Sequence, residues 1–230
     1  MKRRVDLSEI SDGRLYSAND MVKADCHGCE GCFACCCGMG TSVVLDPLDI
    51  HRMMQGLHIG FEQLLKTGIE LNVVDGLILP NLKMTGEKEQ CAYLNEQGRC
   101  TIHRFRPSIC RLFPLGRYYE ENGFHYFLQI HECRKETRGK IKVKKWLEIE
   151  NLRAYEAYIF RWHRFCLACE KAVETLEEEN IRILTLYILK TFYQTPYEQT
   201  GEESSSKEEH FYREFYKRLE ETGQKLGLRV

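Results

Sequence analysis

No charge of one sign dominates this chain. Its 33 Lys and Arg residues are matched by 34 Asp and Glu, for a formal net charge of -1, so the molecule as a whole has no electrostatic pull toward nucleic acid or a membrane surface. No apolar stretch approaches the roughly 18 uninterrupted residues that a membrane-spanning helix needs. The amino terminus, Met1-Lys2-Arg3-Arg4-Val5-Asp6-Leu7-Ser8-Glu9, is basic but lacks the apolar run and small-residue cleavage site of a secretory signal, and the expected compartment is the cytoplasm. A glycine-rich strand-loop-helix signature for a nucleotide cofactor is missing as well. The aromatic residues come without a base-stacking motif, which sets nucleic acid aside as the expected partner.

What the chain has in quantity is cysteine, 12 in 230 residues. In a reducing compartment so many thiols are not expected to form a disulfide framework, and C-x-x-C spacing there points to metal or redox chemistry. Six of them crowd into Cys26-His27-Gly28-Cys29-Glu30-Gly31-Cys32-Phe33-Ala34-Cys35-Cys36-Cys37. Small residues let such a run curl its sulfurs toward one centre, and thiolates brought that close repel unless a cation sits among them. The remaining composition, 43% hydrophobic and 29% charged, suits a globular protein with one sizeable core or two small ones.

Residues 1–25 read as an arm or docked terminal segment, with Asp12-Gly13 as a turn. Thr41 to Leu45 has β-branched strand character and stops at Asp46-Pro47, where Asp46 can cap a helix that opens on Pro47, runs through Met54 and ends at Gly56. A second helical piece, Phe61 to Lys66, closes at Gly68. Ile69 to Val74 and Leu77 to Leu79 flank Asp75-Gly76, a strong hairpin signal, and the hairpin ends at Pro80.

A second block carries Cys91, Cys100 and Cys110. Asn95 to Gly98 makes a turn that folds Cys91 and Cys100 toward one another, and Pro107 opens a helical turn that presents Cys110. Arginines at 99, 104, 106 and 111 lie among these thiols. They suit either a solvated basic face or the offset of thiolate charge through charge-assisted hydrogen bonds. Downstream, Gly116 to Glu120 and Gly123 to Ile130 form an aromatic hairpin that would return Cys133 to the cluster.

Three separated motifs carry a family resemblance. Cys29-x-x-Cys32-x-x-Cys35-Cys36 is followed by Cys91-Ala-Tyr-Leu with Gly98-Arg-Cys100-Thr-Ile-His103, and then by Arg106-Pro107-x-x-Cys110-Arg111-x-Phe113-Pro114. In this order they resemble the CxxCxxCC cysteine-cluster family of YkgJ-like zinc- or iron-chelating domains, a module also similar to part of flagellin lysine N-methylases. The resemblance implies that Cys29, Cys32, Cys35, Cys36, Cys91, Cys100 and Cys110 are metal ligands, with Cys133 an eighth. Cys26 and Cys37 are extra to the pattern, and His103 stands where tyrosine is usual. A histidine beside cysteines is more often a hydrogen-bonding neighbour than a ligand, so His27 and His103 stay outside the set. Eight thiolates could serve one or two zinc or iron ions, while four could hold an iron-sulfur cluster. The run Cys26-x-x-Cys29-x-x-Cys32-x-x-Cys35 is one residue short of ferredoxin spacing and lacks its proline.

From Lys142 onward the apolar residues recur at helical steps through Trp146, Leu152, Phe160, Cys166, Cys169, Val173 and Leu176, as a long helix broken once. Cys166 and Cys169 face one side, where buried cysteine acts as a small apolar group. Ile181 to Tyr193 continues as helix until Pro196, and a polar linker at 200–209 precedes a terminal amphipathic helix, about His210 to Lys225, whose Phe211, Phe215 and Leu219 could dock on the bundle or on a protein partner. The expected architecture is α+β: an arm at 1–25, a loop-rich, metal-stapled cysteine-cluster module with short hairpins at 26–135, and a carboxy-terminal group of α-helices at 136–230. The expected function is metal binding by clustered thiolates in a structural, storage or delivery role. The alternatives are an S-adenosylmethionine-dependent or iron-sulfur lysine N-methylase-like enzyme and a metal-scaffolded protein- or RNA-binding adaptor.

Overall fold

The protein's structure, a computed structural model, describes residues 6–29, 32–135, 137–197 and 207–228. It is an α+β chain of small antiparallel sheets and a carboxy-terminal helix group. Asp6 caps α1 (Leu7–Ile10) by accepting the Ser8 N–H at 2.8 Å. β1 (Ser11–Tyr16) and β2 (Met21–Asp25) follow. Then come α2 (Pro47–Leu57), α3 (Phe61–Thr67), β3 (Ile69–Val74), β4 (Leu77–Leu82), β5 (Met84–Thr85) and β6 (Gln90–Cys91). Beyond these lie α4 (Ser108–Leu112), β7 (Leu115–Glu120), β8 (Gly123–Gln129), β9 (Gly139–Lys142) and α5 (Val143–Leu147). The chain closes with α6 (Leu152–Val173), α7 (Glu178–Ile188), which runs on as a π turn over Leu189–Gln194, and α8 (Lys207–Leu226).

Two compact units interleave along the sequence. One holds Leu45–Asn81 and the chain from Arg153 onward; the other holds the chain up to Val44 together with Leu82–Leu152. Residues 45–81, although they lie inside the stretch 26–135, therefore group with the carboxy-terminal helices. Every cysteine except Cys166 and Cys169 falls in the other unit.

In the cysteine-bearing unit the sheets are closed by partners far apart in sequence. β1 pairs with β8, which pairs with β7, and β2 pairs with β9. The registers Tyr16↔Tyr126 and Val22↔Ile141 explain why residues 11–25 form strands despite few apolar residues: their ladder hydrogen bonds are supplied from elsewhere in the chain. On β2, Val22 and Ala24 point inward while Lys23 points to solvent, the period of two of a half-buried strand.

In the helical unit the core is aromatic. Tyr155, Tyr158, Phe165, Phe192, Tyr193, Phe211 and Phe215 are all essentially fully buried. The Phe215 ring meets Tyr158 edge-on at 4.6 Å between centroids, and Trp162 stacks on Phe165 at 5.4 Å, geometries favoured by the ring quadrupole. The apolar stripe of α8, Phe211, Phe215 and Leu219, is thus consumed inside its own unit. Asp46 caps α2 in a reciprocal capping box with Asp49. Tyr158 donates its hydroxyl to Asp46 Oδ1 at 3.0 Å and accepts the Leu48 N–H at 3.0 Å.

Several boundaries differ from the sequence reading. Thr41 to Leu45 makes only a bridge at Val44, with Leu82 N–H bonded to the Val43 carbonyl at 3.0 Å. Gly56 lies within α2, and His58 takes the left-handed cap at φ 56°, because histidine tolerates that region better than most side chains. The long helix read from Lys142 onward is interrupted at 148–151, between α5 and α6. α8 begins at Lys207 rather than about His210, and the linker read at 200–209 otherwise lies outside the described residues. Among the described residues no helix is long and apolar enough to cross a membrane.

Candidate metal centre

The cysteine run curls where its small residues allow. His27–Cys29 is a 3-10 turn with His27 at φ 53° and Gly28 at φ 76°. Ala34–Cys36 is another, held by the Cys36 N–H on the Phe33 carbonyl at 2.8 Å. Cys37 then forms a bridge with Gln90, and Gly38 N–H bonds to the Glu89 carbonyl at 3.0 Å. These bonds pin the three consecutive cysteines beside β6 and therefore beside Cys91.

A second set of backbone bonds brings in Cys100. Gly98 N–H reaches the Asn95 carbonyl at 2.9 Å, Thr101 N–H reaches the Tyr93 carbonyl at 2.8 Å, and Leu94 bridges Cys100. The turn expected at Asn95 to Gly98 is present, with Gly98 at φ 69°. A Cβ on Gly98 would fall 2.6 Å from Cδ1 of Phe33, so this glycine is needed both for its backbone and for its lack of a side chain. Ser108 to Leu112 is helical, as expected after Pro107, and carries Cys110.

Electrostatics shows which thiols end up near one another. The Cys36 thiol is pushed far up by its hydrogen bond with Cys35, then by burial, then by the charges of Cys35, Cys91 and Cys110. Cys35 is drawn down to about 7, first by that same hydrogen bond with Cys36, with the Arg106 charge adding to it. Burial raises Cys91, opposed by a hydrogen bond from the Tyr93 N–H and reinforced by Cys100, Cys37 and Cys35. Burial raises Cys100 too, opposed by the Ile102 N–H and by Arg106. A thiolate that accepts a backbone N–H two residues on is stabilised in its metal-ready, deprotonated form.

These couplings link Cys35, Cys36, Cys37, Cys91, Cys100 and Cys110, drawn from three separate stretches of chain. Five of the six belong to the set that the resemblance implies; Cys37 does not, and its nearness to Cys91 was signalled in the sequence only by the unbroken Cys35-Cys36-Cys37 run. Cys32 and Cys133 are both half-buried, and the Cys29 side chain lies outside the description. Among the described residues the cysteines are reduced rather than disulfide-bonded, and no group of three or more His, Cys, Asp or Glu side chains is placed to hold a metal ion. The donors are gathered without being closed into a coordination shell.

The arginines divide between the two readings. Arg99 and Arg104 are exposed. Arg106 and Arg111 keep only 15% and 11% of their side chains exposed and approach Glu148 Oε2 at 3.6 and 3.9 Å. Arg106 also meets His103 Nε2, and Arg111 donates to the Arg104 carbonyl. His103 is thereby engaged by an arginine, and His27, three-quarters exposed, pairs with Asp25 at 3.9 Å. Glu148, which anchors the two arginines from a left-handed backbone at φ 53°, had no local signal in the sequence. Cys166 and Cys169 belong to the helical unit, where burial raises both thiols, Cys169 to about 12. Such protonated thiols are packing groups.

Gathered soft donors with buried cationic neighbours are the signature of a protein that chelates a thiophilic metal. The chain belongs to the CxxCxxCC family, described as a putative zinc- or iron-chelating domain, whose profile it matches over residues 28–154. No curated protein and no solved structure matches it.

Proposed function

We propose that this chain binds zinc or iron through thiolates drawn from Cys29, Cys32, Cys35, Cys36, Cys91, Cys100, Cys110 and Cys133, in a structural, storage or delivery role. The observation that carries the reading is the approach of thiols from three stretches of chain, Cys35 to Cys37, Cys91 to Cys100, and Cys110, within one unit. Membership of a zinc- or iron-chelating family supports it. The donor set fits either metal: thiolates suit the tetrahedral preference of zinc, and they equally hold iron, alone or in a cluster. Arg106 offsets the negative charge that bound thiolates would accumulate, through its effect on Cys35 and Cys100.

The test is elemental analysis of protein purified without added metal, together with an absorption spectrum. Colourless zinc protein supports a structural or storage role, and brown protein supports iron-sulfur chemistry. Cys100→Ala and Cys110→Ala are each expected to lower bound metal and to expose the cysteine-bearing unit to protease, whereas Cys166→Ala changes neither. Equal metal content in all three variants would overturn the assignment.

A further inference from the structure

The cysteine-bearing unit has an open pocket of about 510 Å³ lined by Lys23, His27, Thr137, Arg138 and Gly139. Its position follows from the pairing of β2 with β9. Val22 and Ala24 turn inward, so Lys23 is directed outward, and the register shift between Val22 and Asp25 brings Gly139 opposite Asp25. Arg138 then enters the strand pair from the segment before β9.

The lining is cationic and under-partnered. Arg138 Nη1 is buried and has no hydrogen-bond partner among the described residues. A buried guanidinium nitrogen without an acceptor carries a desolvation cost that an anionic oxygen would remove. Lys23 makes no ion pair among the described residues. Among the described residues a carboxylate at the edge, Asp25, is already engaged: Oδ1 accepts the His27 N–H at 2.9 Å, and Oδ2 lies 3.9 Å from His27 Nδ1. Asp25 therefore holds the His27 backbone through its N–H, and its charge sets a limit on the strength of the positive field.

We propose that this pocket binds a small phosphomonoester by its phosphate group. A planar guanidinium fork, an ammonium, an imidazole and the Thr137 hydroxyl line one opening as donors, an assortment that suits the several oxygens of a phosphate better than the two of a carboxylate. The volume lies within the range of small-molecule sites and exceeds what a phosphate alone would fill. The wall offers no large apolar side chain, so the phosphate group carries recognition and the remainder of the ligand is loosely held. None of its lining residues is a proposed thiolate ligand, although His27 shares a turn with Cys29.

The experiment titrates the full chain with inorganic phosphate and with glycerol phosphate, following binding by phosphorus NMR and measuring metal content before and after. Saturable binding of glycerol phosphate is expected, weakened at least tenfold by Lys23→Gln and by Arg138→Gln and unchanged by Lys88→Gln, an exposed lysine on the β5–β6 turn. Equal weakening by all three variants would reduce the effect to general charge attraction and overturn the proposal. Absence of saturation, or binding that disappears with the metal while the Lys23 and Arg138 variants bind as well as the parent, would overturn it too. Circular dichroism of each variant identifies any loss that arises from unfolding, and in that case Lys23→Arg, which keeps the charge, is expected to retain binding.

Discussion

Gly98 holds a left-handed backbone and leaves room for Phe33, so two separate costs meet at one residue. Gly98→Ala is expected to destabilise the cysteine-bearing unit by about 1–2 kcal/mol through backbone strain, with a further steric cost that Phe33→Ala relieves. Chemical denaturation of the single and double variants checks this: the double variant should recover only the steric part. His51 in the helical unit makes a different expectation. Burial above all, helped by the Arg52 charge, holds its imidazole at about 4 against an ordinary 6.5, with its ring against Tyr197 and Phe211. Because the folded value is the lower one, the unfolded chain takes up this proton first. Stability from the neutral ring is fully present above pH 6.5 and is lost as pH falls to about 4, by roughly 3 kcal/mol over that window. His51→Phe should flatten the denaturation midpoint between those pH values, and an unchanged pH profile would refute the assignment.

At the scale of elements, α2 depends on Asp46 twice, as the acceptor of the Asp49 N–H at 2.9 Å and as the acceptor of the Tyr158 hydroxyl at 3.0 Å. Asp46→Ala should cost about 2–4 kcal/mol, a lost cap plus a buried hydroxyl deprived of its partner. Asp46→Asn, which retains an acceptor, should cost distinctly less, as equilibrium denaturation would report. This cap was legible in Asp46-Pro47, as were the Asp75-Gly76 hairpin, with its two residues at φ 50° and 81°, and the turn before Gly98. In each case the information is local: a side chain or a missing Cβ decides the backbone within four residues. β1 and β2 were not legible as strands because what makes them strands is β8 and β9, and no window of sequence contains both partners. Likewise Gly56 looked like a helix stop, but tertiary packing of α2 carried the helix one residue further to Leu57 and left the cap to His58.

For the whole molecule, the two units rest on different sources of stability. The helical unit buries Tyr155, Tyr158, Phe165, Phe192, Phe211 and Phe215, each a large apolar contribution. The cysteine-bearing unit buries its own side chains, Val22, Tyr126 and Leu147 among them, but around its thiols the chain runs in short strands and 3-10 turns, where metal-sulfur bonds would add cohesion. Treatment with a strong chelator is therefore expected to accelerate amide hydrogen exchange across residues 32–44 and 84–112 while α6 and α8 keep their protection. Simultaneous loss of protection in both units would argue against a local stabilising role for the ion. The candidate site was legible in outline, since the cysteine spacing alone pointed to metal. The grouping of Cys37 with Cys91, and the anchoring of Arg106 and Arg111 by Glu148, depend on the folded path of the chain.

That path has a consequence for synthesis. Ribosomes deliver the amino-terminal end first, yet β2 finds its pairing partner only when Gly139–Lys142 has emerged. The thiols at 26–37 must therefore wait, reduced and unsheltered, while roughly a hundred further residues are made. Were those cysteines to hold an ion, its loading into a finished site would come late in the life of the nascent protein.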